Sequence, residues 1–291
     1  MKNISINIVG IGTGSYPSGT TPLEILSSTK GISKDTIICK VDDILTDLSA
    51  PINSDVTLKF LDGKSKDGHS VLLHSTAHLM AQAVKRLHPK TKVTIGPYLE
   101  NRFYYDFDVE TPFTEEDLLN IEKEMLKISE ENLDIVHEVK SRKDAIKFFK
   151  KIGEDYKVEI INDLDESEVL KVYAQGDFTD LCRGPHVPST GAIQHFKLLS
   201  SSAAYWRGDE NNQTLQRVYG TSFTNAKDLK KYLLMLEEQK KRDHRKIGKE
   251  LDLYFHDEEI GPGLPLWTPN GAVIIDELEA LAKEKEDLGG Y

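Results

Sequence analysis

Ser70-Val71-Leu72-Leu73-His74-Ser75-Thr76-Ala77-His78-Leu79-Met80 is the stretch on which the fold turns. Ser70 reads as the opening of a helix whose apolar residues, continuing at Val84 and Leu87, are spread widely around it, so the helix must be largely buried. What surrounds it is written further along the chain. Arg102-Phe103-Tyr104-Tyr105-Asp106-Phe107-Asp108 alternates as a strand, with Phe103, Tyr105 and Phe107 on one face and Tyr104 on the opposite one. Thr114, three residues before Asp117, and Ser141, three before Asp144, predict caps for helices near 115–131 and 142–152, with Gly153 ending the second. Strand patterns recur at 156–161, 168–174, 196–199 and 215–219. Strands and helices mix without strict alternation, which predicts an α+β domain.

Toward the amino terminus, Lys64 to Gly68 reads as a charged linker. Before it, residues 2–9 alternate with period two, and Gly10 to Gly19 punctuate a flexible turn, a hairpin-like start. The Gly10-x-Gly12-x-Gly14 spacing is not the dinucleotide fingerprint, and Pro17 interrupts the helix that would have to follow. Thr21-Pro22-Leu23-Glu24 predicts a helix start, with Thr21 as cap and Glu24 closing a capping box, and the helix runs to about Ser28. Strand-like segments at 36–41, 44–45 and 56–60 complete a unit of about 60 residues, strands wrapped on one helix, in a β-grasp outline.

The chain has 291 residues, about two domains by the usual size of one. Its 38% hydrophobic and 29% charged residues exclude wholesale disorder and a coiled-coil composition. No run reaches the roughly 18 apolar residues of a membrane span, and no signal-peptide pattern opens the chain, so a cytoplasmic protein without a membrane partner is expected. Only Cys39 and Cys182 occur, which makes a disulfide framework implausible. The net charge of −11 argues against nucleic-acid binding over the whole surface. Residues 226–249 are different: nine Lys/Arg against four Asp/Glu give +5, leaving −16 for the other 267 residues. They form an amphipathic helix with Leu229, Leu233 and Leu236 near one face, running into Lys240-Lys241-Arg242-Asp243-His244-Arg245-Lys246. Such a helix is either a solvated connector or a contact for a polyanion.

His74 and His78, four apart on an otherwise apolar helix, fall on one face. In Asp180-Leu181-Cys182-Arg183-Gly184-Pro185-His186 the Gly184-Pro185 turn can bring Cys182 and His186 to a common site. Three neutral imidazoles and a thiol suit either a tetrahedral zinc or proton transfer around a water. Taken singly, each half also reads as core histidines with satisfied nitrogens and an inert cysteine.

Residues 173–191, Tyr-Ala-Gln-Gly-Asp-Phe-Thr-Asp-Leu-Cys-Arg-Gly-Pro-His-Val-Pro-Ser-Thr-Gly, together with His74-Ser75-Thr76-Ala77-His78-Leu79, resemble the proofreading domain of bacterial-type threonyl-tRNA synthetases. The resemblance continues through Phe196-Lys197-Leu198, Ala204–Asp209, Leu215–Gly220 and Arg242–Gly248. It implies a TGS β-grasp domain at 1–62, a proofreading domain at 63–225, a connecting helix at 226–245 and, at 246–291, the truncated start of a class II synthetase domain, so that the chain reads as an amino-terminal fragment. Leu264-Pro265-Leu266-Trp267 and a helix pattern at 273–287 belong to that start.

The activity implied is hydrolysis of seryl-tRNA(Thr). Serine and threonine differ by one methyl, worth only about 1–3 kcal/mol in a binding pocket, so a second, hydrolytic sieve is needed. By the resemblance His74, His78, Cys182 and His186 line the pocket, with Asp180 to read the substrate amino group and Lys157 to supply positive charge to the oxyanion. Tyr104, Arg207, Arg217, Lys241, Arg242 and Arg245 are implied to meet the acceptor end of tRNA(Thr), although Arg207 and Arg217 suit structural ion pairs equally well. Trp206 and Cys39 read as core. No cofactor is required for proofreading; if zinc is present, His74, His78, Cys182 and His186 would hold it. ATP with magnesium, zinc for threonine and ligation itself are expected only with the absent catalytic domain, in a full-length homodimer, the fragment being a monomer. The alternatives are a metal-dependent hydrolase of a small molecule and a non-catalytic tRNA-binding module.

Overall fold

A computed structural model describes residues 2–261 and 263–290. The chain divides into two compact units, residues 1–229 and 230–291. The first opens with β1 (Asn3–Ile8), β2 (Gly12–Pro17), α1 (Pro22–Ser28), β3 (Thr36–Val41), β4 (Ile44–Thr46) and β5 (Val56–Asp62). These strands form one sheet in the order β2-β1-β5-β3-β4, with β1 and β5 parallel and the other pairs antiparallel. The capping box is present: Thr21 Oγ1 accepts from the Glu24 amide and the Glu24 carboxylate accepts from the Thr21 amide. Ile25 is thereby set into a core with Ile4, Ile6, Ile8, Cys39 and Leu58. The glycine-rich stretch is a strand and not only a turn. It forms the sheet edge, mostly exposed but with Tyr16 packed against the core, and pairing with β1, Ser5 opposite Ser15, supplies the order that its composition lacks.

The rest of the first unit is α2 (Lys66–Leu87), β6 (Lys92–Val93), β7 (Tyr98–Leu99), β8 (Arg102–Asp108), α3 (Glu115–Glu131), β9 (Ile135–Lys140), α4 (Arg142–Lys151), α5 (Asp155–Asp163), β10 (Leu170–Gln175), β11 (Phe178–Leu181), β12 (His195–Tyr205) and β13 (Thr214–Phe223). Helix α2 begins inside the expected linker, because Ser65 accepts from the Gly68 amide and Asp67 lies in the first turn. Nearly every residue from Val71 to Val84 is buried. One side packs on Phe103, Tyr105 and Phe107 of a sheet ordered β12-β13-β8-β6, with β7 also on β8; another meets Ile121, Met125 and Ile128 of α3. Ile37 and Ile38 of β3 join this same core, so the amino-terminal sheet is covered on both faces.

The segment 156–161, expected as a strand, lies in helix α5. Gly153, with φ +78°, breaks the chain after α4, and the buried residues Lys157, Val158 and Ile161 then follow helical spacing. Helices α4 and α5 pack Ala145, Phe149, Val158 and Ile161 on a three-stranded sheet, β11-β10-β9. Helix α6 (Ala226–Lys241) runs from the first unit into the second, which holds α7 (His244–Glu250), the hairpin β14 (Tyr254–His256) and β15 (Pro265–Trp267), and α8 (Pro269–Gly289). The fold is α+β. Among the described residues no helix is long and apolar enough to cross a membrane.

Candidate functional site

Helix α2 carries His74 and His78 one turn apart, and the segment leaving β11 carries Cys182 and His186 back to the same point. Tight packing makes that return. Gly184 has φ +69°, and a Cβ there would stand 1.9 Å from the Tyr173 hydroxyl oxygen, so only glycine fits. His74 Nε2 is 2.9 Å from Cys182 Sγ, which is 3.4 Å from His186 Nε2 and accepts from the Gly184 amide at 3.2 Å. The His74 and His186 rings stack with centroids 4.6 Å apart, and His78 meets His186 edge-on at 4.4 Å.

Behind the imidazoles lies a buried pair of charges. Lys157 of α5 is ion-paired with Asp180 of β11, and the two residues are 2% and 1% exposed. The Tyr105 hydroxyl donates to Asp180 Oδ2 at 2.6 Å and accepts from Lys157 Nζ at 3.0 Å, while His78 Nδ1 stands 3.7 Å from the same carboxylate oxygen. Asp180 Oδ1 also accepts from the Leu181 amide. Both oxygens of Asp180 are thus engaged within the protein. Tyr105, on the core face of its strand, carried no sequence signal beyond apolar alternation.

Two further residues hold His186 from outside. Ser75 Oγ is 3.0 Å from His186 Nδ1 and accepts from the Val187 amide at 3.1 Å. Asp47, in the turn after β4, accepts from the His186 amide through Oδ1 and from the Tyr173 hydroxyl through Oδ2, both at 2.8 Å, and lies 3.4 Å from His137 Nδ1. The amino-terminal sheet thereby contributes a carboxylate to the support of the pocket. Asp47 lies 139 residues from His186, and no local pattern marks it.

Burial sets the protonation of the site. Loss of hydration holds the His74 imidazole below its ordinary range, and those of His78 and His186 well below it. The neighbouring His74 imidazole and the Lys157 charge push His78 the same way. Burial raises the Cys182 thiol to about 12. At neutral pH the pocket therefore presents neutral rings and a protonated thiol, which is no standing nucleophile. The four donor atoms lie within 4.8 Å of one another. By donor type, three imidazoles and one thiolate are a set that would hold zinc, once the four draw closer together than this spread.

The remaining candidates lie elsewhere. Tyr104 stacks under the Arg217 guanidinium, 3.9 Å from ring centroid to Cζ, and Arg217 holds Asp106 through two hydrogen bonds of 2.7 and 2.8 Å. Arg207 pairs with Glu159 and Asp163, beside the buried Trp206. In the second unit Lys241 pairs with Glu238 and Arg245 with Asp243, and Arg242 is exposed. Cys39 is fully buried in the amino-terminal core.

Residues 170–219, which include β10, β11, Cys182, His186, all of β12 and the first part of β13, match the family described as the threonyl and alanyl tRNA synthetase second additional domain. The chain is 50% identical over 277 residues to the threonine-tRNA ligase of Anoxybacillus flavithermus, covering 95% of this chain and 43% of that protein. It is 48% identical over 292 residues to that of Pelobacter propionicus, covering 100% of this chain and 46% of the relative. The threonine-tRNA ligase of Listeria monocytogenes is 49% identical over 277 residues. The chain thus spans under half the length of these curated relatives. Along nearly its whole length the chain is similar to the threonine-tRNA ligases, and at residues 170–219 to the second additional domain named for the threonyl and alanyl enzymes.

Proposed function

We propose that the first unit proofreads for a threonyl-tRNA synthetase, hydrolysing seryl-tRNA(Thr) and sparing threonyl-tRNA(Thr). The observation that carries this reading is the meeting of His74, His78, Cys182 and His186 over the buried Lys157–Asp180 pair, partly within the matched residues 170–219. In that reading residues 1–62 are a TGS β-grasp domain, 63–225 the proofreading domain, 226–245 a connecting helix and 246–291 the start of a class II catalytic domain. In the cytoplasm, and with the relatives' full length, the enzyme would ligate threonine to tRNA(Thr) with ATP and magnesium, as a zinc-containing homodimer.

Hydrolysis of the aminoacyl ester needs an activated water, a stabilised oxyanion and a proton for the ribose oxygen. A neutral imidazole accepts a proton from water, and the neutral thiol of Cys182 leaves water as the nucleophile. Lys157, fixed by Asp180 and Tyr105, stabilises the oxyanion by its charge. A zinc held by His74, His78, Cys182 and His186 would instead supply a Lewis acid and, where one of the four gave up its place, a water of lowered pKa; the donor set favours this as the second reading.

Incubation of the chain with seryl-tRNA(Thr) and with threonyl-tRNA(Thr) tests the proposal. Serine release alone is expected, and it is lost in His74→Ala and in Cys182→Ala while both variants stay folded. Equal release of both amino acids, or unchanged rates in the variants, sinks it. Elemental analysis before and after chelation separates the two forms of the mechanism. Stoichiometric zinc whose removal stops hydrolysis selects the metal form.

A further inference from the structure

The hydrogen bonds behind His186 give the pocket a direction. Ser75 is fully buried on α2, and two groups reach its hydroxyl. The Val187 amide can only donate, so it fills one lone pair of Oγ. The hydroxyl proton still needs an acceptor in a buried site. Thr76, the next residue, gives its proton to the Leu72 carbonyl. For Ser75 the acceptor among the described residues is Nδ1 of His186, 3.0 Å away.

Nδ1 of His186 then bears a lone pair, and the neutral ring carries its hydrogen on Nε2, which faces Cys182 Sγ at 3.4 Å. The sulfur receives that hydrogen and the Gly184 N–H. Its own S–H is left to point at Nε2 of His74, 2.9 Å away. Hydrogen bonds therefore run one way, from Ser75 to His186 to Cys182 to His74.

We propose that Ser75 is a positioning residue of the hydrolytic pocket, fixing His186 as a donor and leaving Nε2 of His74 as the lone pair that takes the proton of the attacking water. The assignment rests on the hydrolytic reading given above. In the step it describes, the water oxygen bonds to the ester carbonyl carbon as one water proton passes to His74 Nε2, in exchange for the thiol hydrogen accepted at rest. When the bond from that carbon to the ribose oxygen breaks, the same proton passes from the imidazolium to the ribose oxygen. Both rings end as they began, and His186 gains and loses nothing. A zinc bound beside Cys182 through His186 Nε2 would require the opposite tautomer, with the hydrogen on Nδ1.

The test uses the full chain, freed of metal by a chelator and labelled with ring-15N histidine, the His186 signals being identified by their loss in His186→Asn. The nitrogen shifts and couplings are expected to place the ring hydrogen on Nε2. In Ser75→Ala the signals shift toward the Nδ1–H form, and kcat for seryl-tRNA falls about 10–100-fold, the usual cost of losing an orienting partner, with KM unchanged. A wild-type ring protonated on Nδ1 overturns the proposal, as does a Ser75→Ala variant with unchanged kcat. The wild-type tautomer is read without Ser75→Ala, so poor folding of that variant does not shield the idea. A chain that releases no serine refutes the hydrolytic reading itself, and the NMR result reports separately on the tautomer.

Discussion

The pocket and the basic segment 226–249 handle charge in opposite ways. In the pocket Lys157, Asp180, Tyr105 and His78 come from four different elements and are nearly inaccessible to water. Each polar group is held by a partner distant in sequence. In the basic segment the pairs are local and exposed: Lys241 with Glu238, Arg245 with Asp243, Lys246 with Glu250. Removing a charge from water is expensive, so a buried one persists only inside a set of partners fixed by the fold. An exposed pair contributes little, and its charge stays available to a polyanion. The same residue types thus serve a rigid site in one region and a solvated surface in the other.

The sharpest way to break this comparison is Lys157→Ala, which strips Asp180 of its cation in a buried setting. A loss of about 3–5 kcal/mol in unfolding free energy is expected, read from urea denaturation. A loss near zero would mean that the pocket charges are solvated like those of the basic segment. Acid provides the next largest effect. Burial lowers the folded-state pKa of His74, His78 and His186, so below about pH 6.5 the unfolded chain takes up protons that the folded chain refuses. Stability is therefore full above that pH and falls as the pH drops, by about 1.4 kcal/mol per pH unit for each ring, or about 4 for the three together. Urea midpoints measured between pH 7 and 5.5 check the sign and the slope. A flat profile would mean hydrated rings.

A smaller change, Asp47→Ala, asks how far the amino-terminal sheet supports the pocket. It leaves the His186 amide and the Tyr173 hydroxyl without their acceptor, and a cost of about 1–3 kcal/mol is expected. A slower release of serine should accompany it. Intact stability with intact hydrolysis would reduce the interaction to a surface one. Asp47 also marks where the sequence stops being legible. The burial of α2, the strand faces of Phe103, Tyr105 and Phe107, and the caps at Thr21, Thr114 and Ser141 follow from periods and spacings within a few residues. The four donors could be suspected from two short motifs, because a helical period and a Gly-Pro turn are local features. Asp47, Tyr105 and the role of Ser75 depend on partners 52 to 139 residues away. The strand reading of 156–161 failed for a related reason: the helical spacing of Lys157, Val158 and Ile161 shows only when Lys157 is counted among the buried residues, and its partner Asp180 lies outside any local pattern.

The gentlest intervention falls on the other side of the comparison. Lys241→Ala and Arg245→Ala each remove one member of an exposed pair that spans two or three residues of chain. Water replaces the missing partner, so the thermal midpoint should stay within error of the parent. If the segment meets tRNA phosphates, the binding constant should weaken by a similar factor for every tRNA sequence. The slope of its logarithm against the logarithm of salt should then shrink by about one for each phosphate that the variant no longer neutralises. Filter binding across a salt series reads both quantities. An unchanged slope in the double variant would assign the concentrated positive charge to solvation of the helix, and the contrast with the pocket would then lie only in exposure and no longer in function.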